Sequence, residues 1–176
     1  MSDVISNEGE NAPAVRQGFP GTDSATRATR LSRRAALKVE DAERAVMLIC
    51  AELTALRPER ELFSPVWPLR QENAYRFRLK YEEVEASPEF RTFFGTFAGR
   101  SRDRDAVLNK LSALRSALPL CWTTVSGGGV SAPVTLATLA ADGEVEYEES
   151  PADGNAIFTA ALTLKVRVCT TCPRGY

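Results

Sequence analysis

The chain has 176 residues, of which 44% are hydrophobic and 26% charged, and its net charge at pH 7 is −1. These values fit one globular domain with a tail, and so small a net charge argues against nucleic-acid binding by bulk electrostatics. No apolar run approaches the roughly 18 residues of a membrane span, and the N-terminus lacks the apolar segment of a signal peptide. We therefore expect synthesis in a cytosol-like compartment and no membrane partner.

Residues 1–30 are rich in Ser, Asn, Gly, Ala and Pro and show no apolar periodicity, which is typical of a flexible arm. A basic cluster follows, formed by Arg27, Arg30, Arg33, Arg34 and Lys38. We interpret it as a solvated helix start, with contact to phosphate or to an acidic neighbour as the alternative. The sequence thus divides into the arm, one domain over residues 31–170 and a tail over residues 171–176.

Residues 31–56 carry the clearest helical pattern in the chain. Apolar residues lie three and four apart on one face, namely Val39, Ala42, Val46, Ile49, Leu53 and Leu56. Charged residues fall outside that stripe, among them Asp41, Glu43, Arg44 and Glu52. Pro58 ends the helix because proline disfavours the α conformation of the residue before it. Residues 59–71 are predicted to form an extended connection or a short edge strand.

Residues 73–82 alternate between apolar and charged side chains and predict a β-strand. Its core face would hold Tyr75, Phe77, Leu79 and Tyr81. The other face carries what we call the basic ladder, Arg76, Arg78 and Lys80. Like charges at every second position are unfavourable unless they are solvated or opposed. An acidic ladder, Glu144, Glu146 and Glu148, has the same spacing and the opposite sign.

We predict that the two ladders meet, either within the fold or between subunits. Opposite charges at matched spacing stabilise a contact between two strands. The alternative is two separate solvated faces. The six ladder residues are the candidate subunit-interface residues of this sequence.

A phenylalanine-rich strand and a second helix follow. Residues 88–98 have apolar side chains on both faces, which is typical of an interior strand, and Gly95 within them indicates a bulge or a close backbone approach. The helix over residues 103–118 has Ser101 or Asp103 as its N-cap and Val107, Leu111, Leu114 and Leu118 as its buried stripe.

The rest of the chain is predicted to be mostly β-structure. Residues 121–125 and 133–139 are strand candidates, separated by a flexible glycine loop that lacks the Gly-Lys-Ser/Thr of a phosphate-binding loop. Asp153-Gly154-Asn155 then turns the chain into a long hairpin whose second arm, residues 156–168, alternates strictly. The fold class is therefore α+β, a mostly antiparallel sheet packed against two amphipathic helices.

The four cysteines leave three interpretations open. Cys169 and Cys172 form a C-x-x-C motif, which suggests a redox pair or half of a zinc site. A zinc site would also need Cys50 and Cys121, because the chain contains no histidine. The motif follows a strand, whereas redox C-x-x-C pairs usually open a helix. We expect buried or terminal free thiols, and no metal or cofactor.

An enzyme is the main alternative class, with Glu148 and Glu149 as a carboxylate pair or Cys121 as a nucleophile. Adjacent residues on a strand point to opposite faces, so the two glutamates would not share a substrate. A cysteine nucleophile usually needs a base, and histidine, the commonest one, is missing. We predict no catalytic residues.

The order of these elements resembles the tail terminator and neck (head-tail joining) proteins of long-tailed bacteriophages. The segments that carry the resemblance are the helix at 39–56, the strand at 75–82, the strand at 90–98 with the helix after it, and the closing hairpin. They span residues 39–168. The resemblance adds no catalytic or metal-binding motif.

Membership of that family would imply a non-enzymatic virion protein, made in the host cytoplasm, whose subunits form a hexameric ring. The ring would cap the tail tube and join it to the neck or connector proteins, with DNA passing through the lumen. The arm would fold onto a neighbouring subunit. The alternatives are another tail completion, connector or baseplate protein of a phage, or a cellular protein-interaction module.

Overall fold

The computed structural model describes residues 36–56, 62–63, 73–152 and 155–171. They form helices α1 (Val39–Leu53) and α2 (Arg104–Ala117) and strands β1 (Leu62–Phe63), β2 (Ala74–Glu83), β3 (Phe90–Ser101), β4 (Leu120–Val125), β5 (Val134–Ala141), β6 (Glu146–Ala152) and β7 (Asn155–Cys169). The predicted arm, most of the predicted connection at 59–71 and nearly all of the predicted tail lie outside the described residues.

The strands form one sheet around β7. Its order is β1-β2-β3-β7-β5-β4, and β6 also pairs with β7. β3 runs along most of one side of β7, while β6 and β5 follow one another along the other side. β1 is parallel to β2, and the other six strands are joined by antiparallel pairing. The predicted α+β class, with a long closing hairpin of β6 and β7, is confirmed.

Both helices pack on the same face of the sheet, which we call the covered face. α1 contacts β2, and α2 contacts β3 and β7. Alternate strand residues bury their side chains there, including Tyr75, Phe77, Phe93, Phe97, Leu162, Leu164, Val166 and Val168. Against them pack Ala42, Val46 and Ile49 of α1 and Val107, Leu111 and Leu114 of α2. The opposite surface, which we call the open face, carries the remaining alternate residues.

The predicted alternation of β2 is wrong from Tyr81 onward. The register of β2 with β3 shifts between Leu79 and Tyr81, so that Tyr81 lies opposite Phe94. The two rings stack at a centroid distance of 4.9 Å on the open face, and Tyr81 is 59% exposed. A one-residue shift transfers the following side chains to the other face, which is why Tyr81 leaves the core that Tyr75 and Phe77 occupy.

α1 begins later than predicted and uses a polar residue in its buried face. Ala36, Leu37 and Lys38 are not helical, and the helix begins at Val39 and ends at Leu53. Asp41, predicted to lie off the apolar stripe, is only 7% exposed. The predicted N-cap of α2 is confirmed. Asp103, one of the two candidates, is the N-cap and accepts a hydrogen bond from Ala106 N.

The buried Asp41 fixes the loop between β4 and β5 to α1. Its carboxylate accepts hydrogen bonds from Ser131 N at 2.8 Å and from Ser131 Oγ at 2.5 Å. One turn later, Arg44 Nε donates to Gly128 O at 2.8 Å. The glycine loop that the sequence predicts to be flexible is therefore anchored by two side chains of one helix.

Two glycines in β3 make room for two aromatic rings of β2. A Cβ atom at Gly95 would lie 2.5 Å from Phe77 Cζ and 2.8 Å from Arg78 O. A Cβ atom at Gly99 would lie 2.6 Å from Tyr75 Cε1. These distances are shorter than any stable carbon contact. The close backbone approach predicted at Gly95 is confirmed.

We expect Gly95→Ala to lower the free energy of unfolding by about 1–3 kcal/mol, because the added methyl group overpacks the space under Phe77. Urea unfolding of the wild type and the variant measures the difference. Combining Gly95→Ala with Phe77→Leu should cost less than the sum of the two single changes. An unchanged stability of Gly95→Ala would contradict the proposed clash.

We expect Asp41→Asn to lower the free energy of unfolding at neutral pH by about 1–3 kcal/mol, since the amide cannot accept both hydrogen bonds from Ser131. The hydrogen bonds from Ser131 hold the pKa of Asp41 below its ordinary value of 3.8. A depressed pKa stabilises the fold above the unfolded-state value, and this stabilisation is lost as pH falls through the folded-state pKa. The wild type and the variant should therefore converge only below about pH 4.

Urea unfolding at stepwise lower pH measures this convergence. The matched control is Asp142→Asn, which removes the charge of an exposed carboxylate. We expect it to change the free energy of unfolding at neutral pH by less than Asp41→Asn does, because its side chain is exposed. A constant gap between Asp41→Asn and the wild type over the whole pH range would show that the Asp41 carboxylate does not titrate as proposed.

Candidate functional site

The strand register places basic and acidic ladder residues on the open face of the sheet. Arg76 lies opposite Ala98, Ala98 opposite Ala161, and Ala161 opposite Glu146. These four residues form one row across four strands, with the cation at one end and the carboxylate at the other. At about 4.8 Å between strands, the two backbones are about 14 Å apart.

A groove of about 400 Å³ lies between the two ends of this row. It is lined by the small residues Thr96, Ala98, Thr159 and Ala161 and by the charged residues Arg76, Arg78, Lys80, Arg100 and Glu148. The small residues belong to β3 and β7, the strands between the two ladders. Their short side chains leave the space that the longer charged side chains surround.

Arg100 is a fourth cation of the groove that the sequence analysis did not single out. The predicted strand ends at Ala98, whereas β3 continues to Ser101. Arg100 thus stands two residues beyond Ala98 on the same face. In the sequence, the alternation of β3 continues through Gly99-Arg100-Ser101. The prediction ended the strand at Ala98 because Ser101 is also a candidate N-cap of the second helix.

The positive charges of the groove repel one another. Burial, and secondly the charge of Arg78, lower the pKa of Arg76. Arg78 Nε also lies 3.7 Å from Glu43 Oε1 of α1. Like charges at this spacing repel one another.

The acidic ladder is divided between two environments. Glu144 lies before β6 and its Oε1 is 2.5 Å from Arg115 Nη2 of α2. Glu146 and Glu148 are exposed and pair in register with Ala161 and Thr159 of β7. β3 and β7 separate them from the basic ladder, so no direct strand pairing brings the two ladders together. A contact between subunits stays a prediction.

The outer edge of β2 is occupied at both ends of the basic ladder. β1 pairs with Ala74 and Tyr75. Further along, Leu79 N donates a hydrogen bond to Glu43 Oε2 at 2.9 Å. Since backbone groups at an unprotected edge can pair with another strand, these contacts oppose the addition of a further strand along β2.

The other half of the open face carries aromatic rings and neutralised cations. Lys165 Nζ lies 5.1 Å from the centroid of Phe94 and 3.1 Å from Glu83 Oε2. Arg167 lies 3.9 Å above Phe90 and donates two hydrogen bonds to Glu85, at 2.8 and 2.9 Å. Hydrogen bonds from Arg167 and then Thr92 lower the pKa of Glu85 to about 2. Both cations therefore pair with carboxylates of their own chain.

The candidate catalytic residues lie on different parts of the sheet. Glu148 pairs with Thr159 and Glu149 with Phe158, so their side chains point to opposite faces. Cys121 is exposed and unoxidised, opposite Thr138 on the open face. Within the described parts of the chain, no group of three or more His, Cys, Asp or Glu residues is placed to hold a metal ion.

The expectation of free thiols is confirmed for two cysteines and wrong for a third. Cys50 and Cys121 are free, and burial raises the pKa of Cys50, which makes its thiol unreactive. Cys169, at the end of β7, is disulfide-bonded. Its motif partner Cys172 lies outside the described residues. The C-x-x-C spacing is the sequence signal that suggested a redox pair at Cys169.

No protein-family model matches this chain, and no curated protein matches it significantly. Neither of the helices that the structure describes is long and apolar enough to cross a membrane.

Proposed function

We propose that this protein is a structural subunit of a bacteriophage virion, a tail terminator that forms a ring on the end of the tail tube and joins it to the neck. The observation that carries the proposal is the open face, where Arg76 of the basic ladder and Glu146 of the acidic ladder stand at opposite ends of one row. The resemblance in element order, from α1 through the closing hairpin, supports it.

The proposed ring joins its copies head to tail, through two different patches of each chain. Such a contact is heterologous, and it produces a closed ring when the rotation between neighbouring copies closes on itself. A two-fold dimer would instead need one self-complementary patch. The resemblance to tail terminator proteins implies the head-to-tail ring.

The resemblance gives this ring its place in the virion. One rim would contact the last subunits of the tail tube, the other rim would contact neck or connector proteins, and DNA would pass through the lumen. The subunits would be made in the host cytoplasm and retained in the virion. Each of these contacts is part of the proposal.

We also propose that the protein is not an enzyme. Glu148 and Glu149 face opposite sides of the sheet, so they do not form a carboxylate pair. A role in assembly requires neither residue to bind a substrate. It requires instead surfaces of complementary charge, which the two ladders supply.

We expect the purified full-length protein to form a ring, which the resemblance to tail terminators implies to have about six subunits. Multi-angle light scattering gives the mass of the complex, and negative-stain images show whether it is annular. Mixing with tail tubes that lack a terminator tests capping directly. We expect one ring at a tube end and an arrest of tube growth.

A symmetric dimer at every concentration, or a protein that neither forms rings nor binds tube ends, would contradict the terminator proposal. Binding along the side of the tube instead of at its end would indicate another tail component. Thermal unfolding of the same preparation serves as the control, because a cooperative transition shows that a failure to assemble is not a failure to fold.

A further inference from the structure

We propose that the groove on the open face binds a compact anion made of linked phosphate groups, a di- or triphosphate, which is held by Lys80 and by the hydroxyl group of Thr96. Both residues line the groove, together with three arginines of the same face. The site is formed within one chain. The inference therefore goes beyond the proposed ring and does not depend on it.

The charge of the groove favours an anion with several negative charges. Its charged lining residues are Lys80, the three arginines Arg76, Arg78 and Arg100, and Glu148, and together they have a net charge of +3. A concave site lined mainly by one sign of charge concentrates ions of the opposite sign. A single phosphate group carries about two negative charges at neutral pH, so linked phosphate groups match the groove better than one.

Lys80 has a place in β2 that leaves its ammonium group available. The register of β2 with β3 shifts between Leu79 and Tyr81, so Lys80 has no residue opposite it on β3. Its side chain is exposed, and among the residues that the structure describes none forms a salt bridge with it. An ammonium group on a flexible stem carries three donors and is a common phosphate ligand.

The arginines do not have to release the partners that they have within their own chain. Arg78, for example, lies beside Glu43 of α1. A guanidinium group has five N–H donors, so an arginine that is already paired still contributes positive potential and can donate to a further oxygen. Because the positive charges of Arg76 and Arg78 repel one another, an anion in the groove also offsets this repulsion.

Thr96 supplies a neutral donor in the floor of the groove. It lies opposite Arg78 on one side and Thr163 on the other. Its Oγ1 atom is buried and has no hydrogen-bond partner within the described residues. A buried hydroxyl group without a partner destabilises a fold. A phosphate oxygen would reach this hydroxyl group when the flexible side chains at the rim move aside, and would accept its hydrogen bond.

The lining also distinguishes between the sources of linked phosphate groups. Of the described residues that line the groove none is aromatic, so a nucleotide base would have no ring on which to stack. Glu148 lines the groove and Glu146 is exposed two residues before it on β6. These carboxylates would repel the further phosphates of a nucleic-acid strand. The groove therefore favours a compact anion over DNA.

Isothermal titration calorimetry of the full-length protein with inorganic triphosphate tests the site. We expect one triphosphate per chain, bound at least about tenfold more tightly than orthophosphate, with an affinity that falls as salt screens the charges. ATP should bind as tightly as inorganic triphosphate, because only the phosphate groups are recognised. A short DNA duplex should bind more weakly than either.

Two matched pairs of variants locate the site. Lys80→Gln should weaken triphosphate binding by about fivefold or more, whereas Lys38→Gln, which removes an exposed charge just before α1, should change it by less than about twofold. Glu148→Gln should strengthen binding by about two- to fivefold, because it removes a repulsive charge from the groove. Glu149→Gln should leave binding unchanged, since Glu149 points to the other face of the sheet.

Thr96→Val keeps the shape of the side chain and removes its hydroxyl group. We expect triphosphate to bind about fivefold more weakly to this variant. Urea unfolding should show no loss of stability, because valine leaves no unpaired polar group in the floor of the groove. A hydroxyl group with a purely structural role would give the reverse result, a lower stability and an unchanged affinity.

The inference is overturned if triphosphate does not bind, or if Lys80→Gln and Thr96→Val bind it like the wild type. Much tighter binding of ATP than of triphosphate would also overturn it, because the base would then be recognised. DNA binding that is tighter than triphosphate binding and is lost in Lys80→Gln would replace the compact anion by a nucleic acid. Circular dichroism checks the fold of each variant, and the mass of the protein without ligand tests the ring separately.

Discussion

The structure depends on the burial of one face of the sheet beneath α1 and α2. Strand side chains alternate with a period of two, so the residues that fill the core fix the position of all the others. Because Tyr75 and Phe77 are fully enclosed, Arg76 and Arg78 must stand on the open face. The same holds in β7, where the burial of Leu162 and Leu164 leaves Ala161 and Thr163 in the floor of the open face. The charged surface of the open face is thus a consequence of packing on the other side.

α1 also contacts two parts of the molecule outside the core, the loop between β4 and β5 and the edge of β2. Within four residues, Asp41 and Arg44 hold the loop between β4 and β5, and Glu43 contacts the edge of β2. One helix therefore contacts two regions of the sheet that lie far from each other. Asp41 lies in the buried face of that helix, where an unpaired carboxylate would destabilise the core. The hydrogen bonds from Ser131 satisfy this carboxylate.

The features that the sequence predicts well are those set by local periodicity. The stripe of α2, the first half of β2 and the long hairpin each repeat a pattern within one segment. The burial of Asp41, the transfer of Tyr81 to the open face and the contribution of Arg100 each depend on which strand or loop lies beside them. For the same reason the ladder residues were identifiable, while the groove between them was not. Strand order decides that Ala98 and Ala161 stand between Arg76 and Glu146, and no periodicity in β2 or β6 specifies that order.

The edge strand β6 has a further consequence for the newly made protein in a crowded cell. An exposed edge is a template on which chains aggregate, and β6 lies at such an edge beside β7. It carries Glu146 and Glu148 on one face and Glu149 on the other, so two β6 strands brought side by side would set carboxylates against one another. The carboxylates of β6 therefore discourage identical edges from pairing with one another.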